Sequence, residues 1–293
     1  MKNPKHKPTL RLRRRVVVIG LVAAMIAGFF LIRQSSNTIV LGSSWSGNSL
    51  YPIEQFDHSK FDQLLQKYVN QEGQVDYASW QQNEEDKIEL LDYLLSTSRI
   101  HWNRDRTPHT EAKNRDAIEK AFWINAYNAM TIHAVLSVYP TESIRRHTNP
   151  IGFNLWRHYK LNLGTRVYSL RDIENGPLKN LGDGRVHFAI VKASVGSPNL
   201  RSTAYQPEQL DQQLDQQAAA FLANPSHLEI EGTSRVHLSP VLKSVLAEFE
   251  GDQHQQLVHL AKMVPDPEIR QSLTEQPLKI TWLKHDWSLN QQR

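Results

Sequence analysis

The apolar positions in the first half of the chain recur at helical spacing. Residues 57–69 carry apolar side chains at intervals of three and four, which predicts an amphipathic helix. Residues 84–96 repeat this pattern. Residues 119–139 are apolar on nearly every face, so they predict a central helix that is buried on all sides.

Short apolar runs alternate with helical patterns in the second half. Residues 186–191 are apolar apart from His187 and predict a buried strand, which ends in a turn of the composition Ala-Ser-Val-Gly-Ser-Pro. The same criteria predict strands at 167–170, 228–230, 236–238 and 278–283 and helices from 169 onward and at 206–222, 240–249 and 255–263. Because helices and strands interleave without a regular βαβ period, the pattern favours one globular domain of the α+β class.

A basic segment followed by an apolar segment opens the chain. Seven Lys and Arg residues lie within positions 1–15 without an acid, and the next seventeen positions, 16–32, are apolar. This length is at the short end of what spans a bilayer, and no good small-x-small cleavage pattern follows. The sequence therefore predicts an uncleaved transmembrane signal anchor with a basic cytoplasmic tail at 1–15.

The predicted architecture places one domain beyond the membrane. Residues 33–55 are rich in Ser, Asn and Gly and predict a tether, and residues 56–290 predict the globular domain. We expect a single-pass inner-membrane protein whose C-terminal domain lies in the periplasm or outside the cell. Its expected partners are the membrane, through the N-terminal helix, and an unknown envelope protein or small ligand.

Composition argues against several classes of function. Eight of the 34 Lys and Arg residues lie in the first 33 positions, whereas all 30 acids lie from Glu54 onward, so no nucleic-acid partner is expected. The absence of Cys excludes disulfides and thiolate catalysis. The 13 His residues show no metal-binding spacing, and no glycine-rich phosphate loop occurs, so neither a metal nor another cofactor is expected.

The turn after the predicted strand 186–191 is the best candidate site. Lys192 is either a half-buried base or nucleophile, or a lysine whose ammonium reaches water at the strand end. Ser194 and Ser197 do not form a G-x-S-x-G elbow, and His187 is the base nearest to them in sequence. They are either nucleophiles served by His187 or ordinary turn serines.

Three polar residues outside this turn complete the candidate set. Asn125 and Asn128 lie three positions apart on the predicted central helix, where buried amides need partners. They either orient an imidazole or bind a ligand carbonyl, or they cap the turn after the predicted strand. Glu174 is an acid, an ion-pair partner for Lys192, or a solvated helix charge.

Several blocks of the sequence, in their order, resemble one known family. They are VDYASW at 75–80, AFWINAYNAMTI at 121–132, YSLRDIENGPLK at 168–179, VHFAIVKASVGSPNLR at 186–201, AYQPEQLDQQLDQQAAAFL at 204–222 and WLKHDWSLN at 282–290. The region 61–290 is thereby similar to DUF547, an uncharacterised bacterial and plant domain family. The resemblance implies a fold distantly like that of papain or the transglutaminases.

The resemblance also implies a thiol site that this chain lacks. Relatives are expected to carry Cys at the positions of Lys192 and Ser197, and often His at that of Asn175. Asn175 therefore joins Asn125 and Asn128 as a candidate binding residue.

Two kinds of function follow from these observations. The first is a membrane-anchored extracytoplasmic domain that binds or assembles through a degenerate thiol site. Such a domain need not be an enzyme. A variant of this interpretation is a structural subunit that recruits an envelope partner through its surface. The second is a hydrolase or acyltransferase that uses Ser194, Ser197 or Lys192 with His187 as base. We expect the candidate residues to meet around one pocket without a competent nucleophile–base pair, because a serine needs a base placed within about 3 Å.

Overall fold

The computed structural model of the chain describes residues 38–43, 50–101, 112–147, 154–164 and 166–293. The α-helices of these residues are α1 (Ser59–Tyr68), α2 (Tyr77–Gln82), α3 (Glu84–Ser96), α4 (Ala112–Leu136), α5 (Leu155–His158), α6 (Leu170–Ile173), α7 (Leu210–Leu222), α8 (Leu242–Leu246), α9 (Gln253–Ala261) and α10 (Pro267–Glu275). The strands are β1 (Ile39–Leu41), β2 (Tyr51–Pro52), β3 (Ile100–His101), β4 (Tyr159–Leu163), β5 (Arg166–Ser169), β6 (Leu228–Glu231), β7 (Arg235–Leu238) and β8 (Lys279–Trp282).

Helix α4 is the central element of the domain. From Ala121 to Leu136 its side chains are buried, except for the half-buried His133, as the all-round apolar sequence predicts. It packs against α3 and α6 and against the 3-10 turns Ile53–Gln55 and Pro207–Gln209. A helix covered on every side carries polar residues only where a neighbouring segment gives them partners.

The strands form three small sheets of mixed direction. Strand β4 pairs in parallel with β1 and antiparallel with β5, while β2 pairs with β3. Strands β6 and β7 form an antiparallel hairpin to which β8 adds in parallel. The described chain is therefore a single domain of mixed helices and short strands.

Two groups of buried apolar side chains form the interior. The larger group is built on α4 and includes Val186 and Ile190, whereas the smaller one is built on the β6–β7–β8 sheet with α7 to α10 and includes Phe188. Residues 186–190 thus insert side chains into both groups. The candidate turn follows directly, so it lies where the two parts of the interior meet.

The predicted strand at 186–191 is wrong. Residues Gly184–Phe188 form a 3-10 helix. At its start the Asp183 side chain accepts a hydrogen bond from the backbone N–H of Arg185. The amides of Ala189 and Ile190 donate back to the carbonyl of Val186. Because these groups are satisfied locally and the run is buried on all sides, its apolar composition does not require a strand partner.

The predicted tether at 33–55 contains paired elements. Strand β1 adds to β4 through backbone hydrogen bonds, which make little demand on side-chain pattern. The turn Ile53–Gln55 packs on α4, and Ile53 is buried. The chain therefore joins the domain earlier than the composition of this segment indicates.

The membrane architecture predicted from the sequence is corrected by the helices of the structure. Among the residues that the structure describes, no helix is long and apolar enough to cross a bilayer. The α+β domain behind a transmembrane helix and the single-pass inner-membrane placement are therefore not supported. The predicted span at 16–32 lies outside the described residues.

Candidate functional site

A small cavity opens beside the turn that follows residues 186–191. Its volume is about 140 Å³, and its apolar walls come from Ile190, Pro198, Val241 and Trp287 among others. Its polar lining consists of the side chains of Glu174, His187, Lys192, Ser197, Ser244 and His285. A concave, largely apolar site with a few convergent polar groups is typical of a ligand-binding site.

An ion pair occupies one wall of the cavity. The Lys192 ammonium lies 2.9 Å from Glu174 Oε1, and both side chains are partly shielded from water. Glu174 begins a π-helix, Glu174–Leu178, that follows α6 directly. Of the interpretations that the sequence leaves open, the geometry selects the ion pair for Glu174. Lys192 keeps two further donor positions on its ammonium group.

His187 faces a carboxylate rather than a serine. Its Nε2 lies 3.5 Å from Glu248 Oε1, a long contact. Burial is the largest influence on its pKa and holds it below the ordinary 6.5, although Glu248 and Glu174 act in the opposite direction. The imidazole of His187 is therefore neutral at pH 7, and nothing in this contact makes it the base of a serine.

Two serines and a second histidine form a continuous hydrogen-bonded chain. Ser197 Oγ lies 2.8 Å from Ser194 Oγ, which lies 2.9 Å from His285 Nε2. The backbone N–H of Lys192 donates to Ser197 Oγ at 3.2 Å. Burial, together with the charge of Lys192, lowers the pKa of His285 below its ordinary 6.5, so its ring is also neutral at pH 7.

The backbone holds the serine turn against the segment that carries His285. The N–H groups of Val195 and Gly196 donate to the carbonyls of Ser288 and Asp286, each at 2.9 Å. Gly196 lies so close to the segment of His285 that a Cβ atom on Gly196 would be 2.8 Å from the backbone nitrogen of Asp286. Ala193, just before the serines, has a positive φ of 47°, which L-residues rarely adopt.

The same C-terminal segment contacts two other parts of the chain. The N–H of Leu289 donates to the carbonyl of Glu142, and the N–H of Val75 donates to the carbonyl of Asn290. The N–H of Gln292 then donates to the carbonyl of Val75. Residues 285–292 are therefore anchored at three places, all of them directly after His285 in the sequence.

The two asparagines of α4 clamp backbone rather than line the cavity. Asn128 donates to the carbonyl of Ala189 at 2.9 Å and accepts the N–H of Val191 at 3.0 Å. Asn125 makes the equivalent pair of bonds, both 2.9 Å, with the backbone of Tyr205. Asn128 thus takes the role of a cap on the segment before the site, one of the two alternatives that the sequence leaves open.

The expected convergence of the candidate residues on one pocket is met by part of the set. Four of them line the cavity, namely Glu174, His187, Lys192 and Ser197, and Ser194 lies directly behind Ser197. Asn125 and Asn128 bond to backbone and are not among the residues that line the cavity. Asn175 is exposed and donates to the carbonyl of Arg171.

Sequence reasoning missed the base that contacts the serines. His285 is 91 residues from Ser194, in the block WLKHDWSLN, and no local spacing connects the two. The expectation of no competent nucleophile–base pair relied on the lack of a base within about 3 Å of a serine, and His285 Nε2 lies 2.9 Å from Ser194 Oγ. Ser244 and Glu248 were missed for the same reason, because they follow β7 and reach the site only through tertiary packing.

The polar lining of the cavity combines charged and neutral side chains. Within the described ranges, no group of three or more His, Asp and Glu side chains is placed to hold a metal ion. The lining presents the ion pair of Lys192 and Glu174, two neutral imidazoles and two hydroxyls beside apolar walls. Such a set can bind a polar head group and exchange protons with it.

Comparison with known proteins gives one match. Residues 112–222 match a family model described as a protein of unknown function, DUF547, and this stretch carries Glu174, His187, Lys192 and Ser197 but not His285. No curated protein and no solved structure matches the chain, so nothing supports the expected likeness to papain or the transglutaminases. The DUF547 family is thus supported for this chain over residues 112–222.

Proposed function

We propose that the chain is a binding domain that takes a small, uncharged molecule with a carbonyl group into the cavity beside Lys192. The observation that carries this proposal is the ion pair between Lys192 and Glu174, at 2.9 Å. It cancels the two opposite charges of the lining within the protein itself. A ligand with a net charge would therefore meet no unbalanced opposite charge there.

The remaining polar groups of the lining are neutral at pH 7. Burial lowers the pKa of both His187 and His285 below 6.5, so neither ring contributes a charge. Two donor positions of the Lys192 ammonium and the nearby hydroxyls remain for an acceptor such as a carbonyl oxygen. The lining thus favours a polar, uncharged head group over a phosphate or a dicarboxylate.

The volume limits the size of the ligand. A cavity of about 140 Å³ is close to the roughly 150 Å³ that accommodates a benzene molecule in other proteins. The ligand, or the part of it that enters, therefore has on the order of six non-hydrogen atoms. Its apolar end would pack against Ile190, Val241 and Trp287.

The test uses propionamide as the probe, with inorganic phosphate for comparison, in ligand-observed NMR on the purified full chain. Propionamide is expected to bind in the millimolar range, as suits so small a ligand, and phosphate is not. Ser244→Leu fills the cavity from α8 and should abolish the signal. Ala247→Leu adds the same side chain at an exposed position after α8 and should leave it intact. Binding of phosphate alone, or propionamide binding unaffected by Ser244→Leu, would contradict the proposal.

A further inference from the structure

Chemistry fixes the direction of one hydrogen bond at the cavity wall, and the tautomer of His285 sets the direction of the other two. The backbone N–H of Lys192 can only donate, so Ser197 Oγ is an acceptor in that bond. When the neutral ring of His285 carries its proton on Nδ1, Nε2 accepts the hydroxyl proton of Ser194. Ser194 Oγ then accepts from Ser197. In this tautomer each hydroxyl proton points one step closer to His285.

The two serines differ in access. Ser197 lines the cavity, whereas Ser194 stands behind it, between Ser197 and the imidazole. A ligand in the cavity therefore reaches Ser197 first. His285 reaches that hydroxyl only through Ser194, at two successive distances of 2.8 and 2.9 Å.

The arrangement is held in place before any ligand arrives. Both serines are almost fully buried, with exposures of 3% for Ser194 and 2% for Ser197. Two backbone hydrogen bonds join their turn to the segment of His285, and Gly196 packs closely against the backbone of Asp286 in that segment. A base fixed within hydrogen-bonding distance is what a serine needs in order to act as a nucleophile.

We propose that Ser197 is a nucleophile for the transfer of short acyl groups, that Ser194 relays its proton, and that His285 is the base. This inference rests on the proposed function, since it assigns a reaction to a carbonyl compound bound in the same cavity. The substrate class is an ester whose acyl part has about six or fewer non-hydrogen atoms, set by the cavity volume. The second reactant is water.

The steps balance without any further reagent. Ser197 Oγ forms a bond to the carbonyl carbon while its proton passes to Ser194 Oγ and the proton of Ser194 passes to His285 Nε2. The carbon–oxygen bond to the leaving alcohol then breaks, and the alcohol recovers the proton from the imidazolium. A water molecule attacks the acyl-Ser197 ester by the same route, which releases the carboxylic acid and restores both hydroxyls.

The experiment follows acetylation of the full chain by p-nitrophenyl acetate, with the modified residue located by peptide mass spectrometry. Acetylation is expected at Ser197 in a one-to-one ratio and should be absent from Ser197→Ala. His285→Gln and Ser194→Ala should slow it by about a hundredfold or more. Ser272→Ala and His237→Gln, which lie away from the cavity, are the matched controls and should react like the parent chain.

The pH profile separates a relay from a merely structural serine. In the parent chain the acetylation rate should fall as the pH drops below about 6.5 and His285 takes up a proton, and this fall should vanish in both His285→Gln and Ser194→Ala. Thermal melting confirms that each variant is folded. Acetylation on Ser194 or Lys192, or at Ser197 but independent of His285, would overturn the assignment. Absence of acetylation while propionamide still binds would overturn this inference alone, whereas loss of both would overturn the proposed function as well.

Discussion

Replacement of Asn128 by leucine tests how the segment before the cavity is held. Asn128 is 2% exposed, and its amide bonds to the carbonyl of Ala189 and the N–H of Val191. Leucine has a similar size and neither donor nor acceptor, so two buried backbone groups lose their partner. Each such group costs about 1–3 kcal/mol, which gives about 2–4 kcal/mol of lost stability once the added apolar burial is allowed for.

The measurement is urea unfolding of the full chain at pH 7, followed by circular dichroism and fluorescence. A fall of the midpoint without a change of slope would show a loss of stability in the same folded state. Asn175→Leu is the control, because Asn175 is exposed and makes one hydrogen bond, to the carbonyl of Arg171 in the preceding helix α6, so its effect should stay within about 0.5 kcal/mol. A loss below about 1 kcal/mol for Asn128→Leu would refute the reasoning, since it would mean that these backbone groups find other partners.

Two further predictions concern the packing of the turn and the pH dependence of stability. Gly196→Ala places a Cβ atom 2.8 Å from the backbone nitrogen of Asp286 and should lower stability by about 1–3 kcal/mol, whereas Gly176→Ala, with open space around it, should be tolerated in the same thermal melts. Equal melting temperatures for the two variants would contradict this account. Burial lowers the pKa of His58 from 6.5 to about 4. As the pH falls below 6.5, the unfolded chain therefore takes up a proton that the folded chain does not accept until about pH 4, and stability drops across this interval by up to about 3 kcal/mol. His58→Gln keeps an acceptor for the Tyr93 hydroxyl, which lies 2.8 Å from His58 Nδ1, and should make stability fall less with pH in urea titrations. An unchanged slope of stability against pH would count against burial of His58 as the cause.

The sequence predicts the surface helices and the hairpin well, because the spacing of apolar residues within each of these elements identifies it. Helix α1 and helix α3 bury one stripe, so their spacing shows them directly, and α3 matches the predicted residues 84–96. The hairpin β6–β7 likewise follows from two short runs on either side of a turn that contains Gly232. Such elements are determined by local periodicity, which a single sequence contains.

Periodicity carries no information where a segment is buried on all sides. Residues 186–191 read equally well as a strand or a compact turn, and what decides between them is Asn128 on a different element. The same holds for the site. Glu174, Lys192, Ser197 and His285 all lie within blocks that resemble the family. His285 becomes a partner of Ser194 only because the segment 285–292 folds back across the turn, which no local pattern shows.

That fold-back makes the site depend on residues far along the sequence. The serine turn bonds through Val195 and Gly196 to the carbonyls of Ser288 and Asp286, directly after His285. Removal of residues 285–292 would take away His285 and Trp287, which line the cavity, and the imidazole that contacts Ser194. Because a domain folds as a unit, the cavity is complete only after residues 285–292 have been synthesised.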